Sequence, residues 1–349
     1  MPIVGQRDPE ATRIALTGWL AAQSGRSVEI RNLVVPQSSG FSNETFLFDA
    51  HWDGSEIAEA LVLRSQPNAY ALFPEIDLIE QQYLSMKLIG EHTDVPVAKV
   101  RWAERGNDVL GQPFFVMDRL EGFVPGDNPP YMTEGAVFDM VPEQRRSWHT
   151  NAVEVLTRVG KVDWRAAGFQ HLDKTHHGKL GSQQRKGYFK HYLDWATQGE
   201  HHPIVHPVFD ILMDTWPDDD DHIDLCWGDA RPGNQMFRGT DVVGVFDWEM
   251  VSLGNCESDL GWWIFLQRYS SVGCGVPLLE GMLTREETIA EWERHMGRPA
   301  SNIEFYERLG GFHFSLVMIR LSELMSYPEM SVNNPVADIT LQICGLPPV

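Results

Sequence analysis

Residues 225–250 read LCWGDARPGNQMFRGTDVVGVFDWEM, and this stretch decides the fold. It opens inside the strand-like run IDLCW, which Gly228 ends. Asp229 and Asn234 then stand five residues apart in a loop containing Gly and Pro. Asp247 comes thirteen residues after Asn234, at the end of a second apolar run that starts at Val242. One carboxylate to orient an attacking hydroxyl, with an amide and a second carboxylate to hold a hard cation, is the set that phosphoryl transfer needs. Asp229 and Asn234 equally suit Asx-type turn hydrogen bonds, so their spacing alone leaves both readings open. The complete string favours chemistry: strand, Gly-Asp, four-residue spacer, Asn, hairpin, then strand-Asp-Trp-Glu. The sequence contains no GxxxxGK[ST], GxGxxG, HExxH or GxSxG.

Upstream of this stretch the pattern is β-rich. Asp8-Pro9 can start a helix whose apolar side is Ile14, Leu16, Trp19 and Leu20. Two β-type runs follow in VEIRNLVVPQSSGFSNETFLFDAHW, around a Ser/Gly/Asn-rich turn. EIAEALVLRSQP predicts a third strand ending at Arg64, and residues 75–91 predict a helix. VPVAKVRWAE and QPFFVMDRLEG predict two more strands joined by a hairpin. After Gly122 comes the Gly/Pro-rich connector GFVPGDNPPYM, and most of the remainder is helical in pattern. Thr284 and Glu287 form a capping box for a helix ending near Gly297. The expected class is α+β: a small antiparallel β N-lobe with one inserted helix, residues 1–118, and a larger, mostly helical C-lobe, residues 119–349.

The chain has 349 residues, 28 Lys plus Arg against 49 Asp plus Glu, and a net charge of −21. Such a field repels a phosphate backbone and an anionic bilayer, so neither a nucleic-acid partner nor a membrane is expected. Four cysteines without CxxC spacing, and no signal-peptide pattern at the start, fit a cytoplasmic protein. Seven histidines fall between His171 and His206, but their spacing does not repeat as metal ligands would. They read as solvated polar surface.

WGDARPGN followed by VVGVFDWEMVSLGNCESDLGWW resembles the aminoglycoside phosphotransferase-like kinases, relatives of the protein kinases. The likeness is greatest to the branch with kinase-like domains fused to acyl-CoA dehydrogenases. It extends to SSGFSNETF, ALVLR, DVPVAKV and GQPFFVMDRLEG in the N-terminal part. The resemblance implies a two-lobed protein-kinase-like fold and transfer of the γ-phosphoryl of ATP or GTP to an acceptor hydroxyl. By position Asp229 is similar to the catalytic base, while Asn234 and Asp247 are similar to the residues that hold Mg²⁺. Glu249 supports that metal or a substrate amine, or caps the next segment. Asp259 is similar to the aspartate that braces the catalytic loop, or is a helix N-terminal carboxylate. Ser39, Gly40, Ser42 and Asn43 would cover the nucleotide phosphates. Arg64 stands where the family places a lysine, with Glu80, or alternatively Gln81, as its helix partner. The strand Phe114 to Met117 would present its backbone edge to the base. Trp195, Trp262, Trp263 and Tyr269 could line an acceptor pocket.

The departures are Arg64 for Lys, a phosphate loop with one glycine, and Trp227 for the His that usually precedes Gly-Asp. They favour an alternative, a catalytically weak pseudokinase serving as a nucleotide-binding or interaction module. The intact Asp229, Asn234 and Asp247 favour an enzyme. For the acceptor, the resemblance implies an amino sugar, an amino alcohol or a hydroxyacyl compound; the likeness to the acyl-CoA-dehydrogenase-linked branch favours the last.

Overall fold

The computed structural model describes residues 7–36, 43–67, 70–75, 77–218, 220 and 222–349. Ser39, Gly40 and Ser42 of the expected phosphate-covering loop lie outside the described residues. Helix α1 (Pro9–Ser24) begins where the Asp8 carboxylate accepts from the Ala11 N–H. Its inner face is Thr12, Leu16, Trp19 and Leu20, one stripe at helical spacing. Ile14 lies on the opposite side and is 60% exposed, so the apolar side expected for this helix excludes it.

Strands β1 (Val28–Val34), β2 (Glu44–Trp52) and β3 (Glu59–Ser65) follow as a meander. A π-helical turn at Leu78–Tyr83 runs into α2 (Leu84–His92), and β4 (Val100–Glu104) and β5 (Phe114–Asp118) complete the sheet. Its order is β1-β2-β3-β5-β4, antiparallel throughout. Strand alternation divides the sheet into two faces. Leu61, Leu63, Phe114 and Val116 pack with Leu16 and Leu20 of α1. Val62, Phe115 and Met117 join the larger core with Leu78, Ile79 and Met86. Arg64 shares the side of Val62 and so points away from α1.

The remainder is mostly helical. It comprises α3 (Ala136–Asp139), α4 (Pro142–Gly160), α5 (Ser182–Ala196) and α6 (Val205–Thr215), then α7 (Glu257–Arg268), α8 (Arg285–Met296), α9 (Ile303–Leu324) and α10 (Pro335–Ile343). Between α6 and α7 lie two small two-stranded sheets. One pairs β6 (Asp224–Cys226) with β9 (Ser252–Gly254), and the other is the hairpin of β7 (Gln235–Arg238) and β8 (Asp241–Val245). The expected capping box opens α8: Thr284 and Glu287 bond each other's backbone N–H groups, and Gly297 closes the helix. Helices α7 and α9 pack closely because Gly261 has no Cβ; one built there would lie 2.4 Å from the Tyr306 carbonyl carbon. Among the described residues no helix is long and apolar enough to cross a membrane.

Candidate active site

The loop after β6 is held by its backbone. Gly228 adopts φ +95°, and a Cβ there would lie 2.3 Å from the Met250 carbonyl oxygen, so only glycine fits. Asp259, in the first turn of α7, accepts hydrogen bonds from the N–H groups of Trp227 at 2.7 Å and Gly228 at 2.8 Å. It therefore braces the loop from the helix start, uniting the two readings open in the sequence. Burial raises its pKa to about 6, against the two backbone N–H bonds that favour its charge.

Three donors converge on Asp229. Trp262 Nε1 donates to its Oδ1 at 3.0 Å, Asn234 Nδ2 to its Oδ2 at 2.6 Å, and Arg231 Nε to Oδ2 at 3.0 Å. Asn234 Nδ2 also reaches the Asp229 carbonyl oxygen at 3.0 Å. The amide nitrogen is thus turned inward in an Asx-like tie, which leaves the Asn234 side-chain oxygen for another partner. Arg231 also pairs with Asp127 of the Gly/Pro-rich connector. Burial works against the Arg231 charge, but Asp229 and Asp127 outweigh it and hold its pKa above the ordinary arginine value.

The β7–β8 hairpin carries Asn234 and Asp247 to one end. Gln235 pairs with Val245, and the Phe246 N–H donates to the Asn234 carbonyl oxygen at 2.9 Å. The strand stops at Val245, two residues short of Asp247, which takes a left-handed conformation with φ 58° and ψ 64°. Its Oδ1 accepts from Arg64 Nη2 at 2.9 Å, and both side chains are largely buried.

Two expectations are corrected here. Arg64 does not meet Glu80, whose carboxylate stands 3.8 Å from Lys174 Nζ, nor Gln81, whose Oε1 accepts from the Asp77 N–H at 3.1 Å. The π-helical turn shifts these residues off α-helical register, and the acid that meets Arg64 comes from the turn after β8 instead. Met117 and its strand present no free backbone edge, because β5 is hydrogen-bonded on one side to β3 and on the other to β4. The Arg119 N–H still donates to the Ala60 carbonyl oxygen, so backbone free of sheet pairing begins after it.

Glu249 is buried and accepts from Asn43 Nδ2 at 3.0 Å, so the start of β2 and the turn after Asp247 are in contact. Beside them opens a cleft of about 870 Å³ with Gly228, Glu249, Trp262, Tyr306 and His313 in its lining. Of the four aromatic candidates Trp262 lines it, whereas Trp263 donates to buried His149, Trp195 lies under the Arg320 guanidinium and Tyr269 packs edge-on against Phe314. Sequence reasoning missed Arg185, which also lines the cleft, 4.9 Å over the Phe189 ring. Among the described residues it makes no side-chain hydrogen bond or ion pair. No motif marks it, since only the fold brings α5 to this cleft.

Comparisons with known proteins bear on the family and the fold. The sequence profile of the phosphotransferase enzyme family matches residues 34–297. The chain belongs to that family of phosphotransferase enzymes. It is 28% identical over 287 residues to the probable acyl-CoA dehydrogenase IBR3 of Arabidopsis thaliana, covering 76% of this chain and 33% of that protein. With acyl-CoA dehydrogenase family member 11 of Rattus norvegicus it shares 26% over 267 residues, 72% of this chain and 32% of that one. The chain thus spans about a third of the length of these curated relatives. A Ralstonia eutropha structure provisionally named an aminoglycoside phosphotransferase superposes with TM-score 0.68 and 23% identity, covering 95% of this chain and 98% of the other. A ternary complex of aminoglycoside phosphotransferase APH(4)-Ia with AMP-PNP and hygromycin B gives 0.59 and 14%, covering 94% and 98%. These likenesses establish the two-lobed, kinase-like α+β fold. The family match does not favour the alternative of a module without turnover.

Proposed function

We propose that the protein moves the γ-phosphoryl group of ATP or GTP to the hydroxyl of a small acceptor, and that this acceptor carries an anionic group, as a hydroxyacyl compound does. Residues 1–118 would cover the nucleotide and residues 119–349 would hold the acceptor. The observation that carries the reading is the convergence of Trp262, Asn234 and Arg231 on the Asp229 carboxylate beside the cleft. Fixed in this way, Asp229 orients the acceptor hydroxyl and takes its proton. A bond forms between the acceptor oxygen and the γ-phosphorus while the bond to the β–γ bridging oxygen breaks, releasing the nucleoside diphosphate. Positioning supplies most of the acceleration in such a reaction.

The donor set suits Mg²⁺. Asn234 uses its amide nitrogen on Asp229 and Asp247 uses one oxygen on Arg64, which leaves one hard oxygen on each to hold the cation. Bound there, Mg²⁺ would neutralise charge on the nucleotide phosphates. Arg64 lies beside Asp247 and would grip phosphate oxygens with its second guanidinium nitrogen.

The acceptor class rests on Arg185, a cation in the cleft that feels the Asp259 charge but makes no side-chain hydrogen bond or close ion pair among the described residues. The printed names of the curated relatives, acyl-CoA dehydrogenases, support an acyl-linked acceptor. The test is nucleoside diphosphate release with hydroxyacyl-CoA, free hydroxy acid, amino-sugar and amino-alcohol acceptors. Release with an anionic acceptor, and an acceptor KM raised about tenfold or more by Arg185→Ala, are expected. Release with the amines alone would overturn the acceptor class, and no release with any would overturn the transfer.

A further inference from the structure

The histidines that show no metal spacing in the sequence gain a partner in the fold. Glu75, from the segment between β3 and the π-helical turn, reaches the short turn Thr175–His177. His176 Nε2 lies 3.1 Å and His177 Nε2 3.0 Å from the same Glu75 oxygen, Oε1. The three ligand atoms lie within 4.8 Å of one another. His191 Nε2, from α5, comes to 3.8 Å of that oxygen. A tetrahedral ion with bonds of about 2.0–2.1 Å separates its ligand atoms by about 3.3 Å, close to the spacing of Glu75 to each histidine.

A second observation points the same way. The His177 side chain is 7% exposed, and its Nε2 faces Glu75 Oε1 at 3.0 Å with no hydrogen bond to any other group among the described residues. The ring rests edge-on against Tyr188 at 5.6 Å, which fixes where that nitrogen points.

We propose that Glu75, His176 and His177 bind a divalent transition-metal ion of the zinc class at the rim of the cleft. Two imidazoles and one carboxylate select zinc-like ions over Mg²⁺, so this site is distinct from the oxygen set at Asn234 and Asp247. Three protein ligands would leave a fourth position for water. Glu75 and His177 both line the cleft, so the ion would tie the segment after β3 to the turn before α5 and fix the rim between them. The proposal does not depend on which reaction the cleft performs.

The test is titration of the full chain with zinc chloride in Mg²⁺-containing buffer, followed by calorimetry and by metal content after dialysis. One Zn²⁺ per chain is expected, with affinity lowered about tenfold or more in Glu75→Gln, His176→Ala and His177→Ala. The control His201→Ala/His206→Ala should bind like the parent. His176 is exposed, so its variant keeps the fold even if His177→Ala does not, and circular dichroism verifies this. Failure to retain zinc, or equal zinc affinity in Glu75→Gln and His176→Ala, would overturn the site. Weak binding that none of these substitutions alters would mark general attraction to an acidic surface and would equally overturn it.

Discussion

Arg64 Nη2 lies 2.9 Å from Asp247 Oδ1, so one ion pair joins strand β3 to the turn after β8 across 183 residues of sequence. Both side chains are about 13% exposed, which screens the pair little. A cycle of Arg64→Ala, Asp247→Asn and the double variant, measured by urea unfolding without nucleotide, should give a coupling of about 0.5–3 kcal/mol. Strictly additive losses would show that the pair contributes nothing to the free protein.

The same arginine is expected to serve the nucleotide. Arg64→Ala should weaken nucleotide binding in Mg²⁺ by about 1.5–3 kcal/mol, and Arg64→Lys should recover only part, because an ammonium cannot bridge Asp247 and a phosphate as a planar fork does. Equal affinities in a three-way titration would leave Arg64 with a structural role alone.

Asp247 holds φ 58°, a region that Asn also tolerates. Asp247→Asn should therefore keep the backbone and remove the charge, abolishing the Mg²⁺-dependent part of nucleotide binding. Calorimetry with and without Mg²⁺ decides this, and an unchanged Mg²⁺ dependence would move the metal elsewhere.

Asp229→Asn should lower turnover by about 10²–10⁴-fold while nucleotide affinity stays near that of the parent. The variant's amide oxygen can still accept from Asn234 and Arg231 while its NH2 would face the Trp262 N–H, so the acceptor KM is measured beside kcat to separate positioning from proton acceptance. A rate within about threefold of the parent would transfer the role to another group, with Glu249 next in line.

Asp259 gives a pH dependence. Its pKa is raised by burial to about 6 from an ordinary 3.8, so the folded state binds its proton more tightly than the unfolded chain does. Its contribution to stability is complete below about pH 4 and is lost as pH rises through about 6, a change on the order of 3 kcal/mol. The amide in Asp259→Asn does not titrate. The deficit of that variant, measured by denaturant unfolding, should be largest at low pH and shrink toward neutrality. A pH-independent deficit would mean that Asp259 is already charged throughout.

The site was legible where its residues are contiguous. Asp229 and Asn234 share one loop, and the hairpin between Asn234 and Asp247 is a local structure whose register follows from Gly239 at its tip. Strands β1 to β5 were likewise announced by alternation and by turn residues. Glu80 could not be placed, because the periodicity at 75–91 was read as a single α-helix whereas its first part is a π-turn. The free edge expected of Phe114 to Met117 failed for another reason. Pairing with β4 was visible as a hairpin, but pairing with β3 on the other side is long-range and leaves no local signal. Arg185 and Glu75 reach the cleft only through tertiary packing, which single-residue chemistry does not announce.

Trp227 is fully buried, donates its indole N–H to the Phe246 carbonyl oxygen at 2.8 Å and lies 6.0 Å from the Trp248 ring. Trp227 therefore ties the loop that carries Asp229 to the strand that leads to Asp247. A Trp227→His substitution would open a void beside Trp248 and withdraw the indole donor from the Phe246 carbonyl oxygen, loosening the link between the Asp229 loop and Asp247 from a position that touches neither residue.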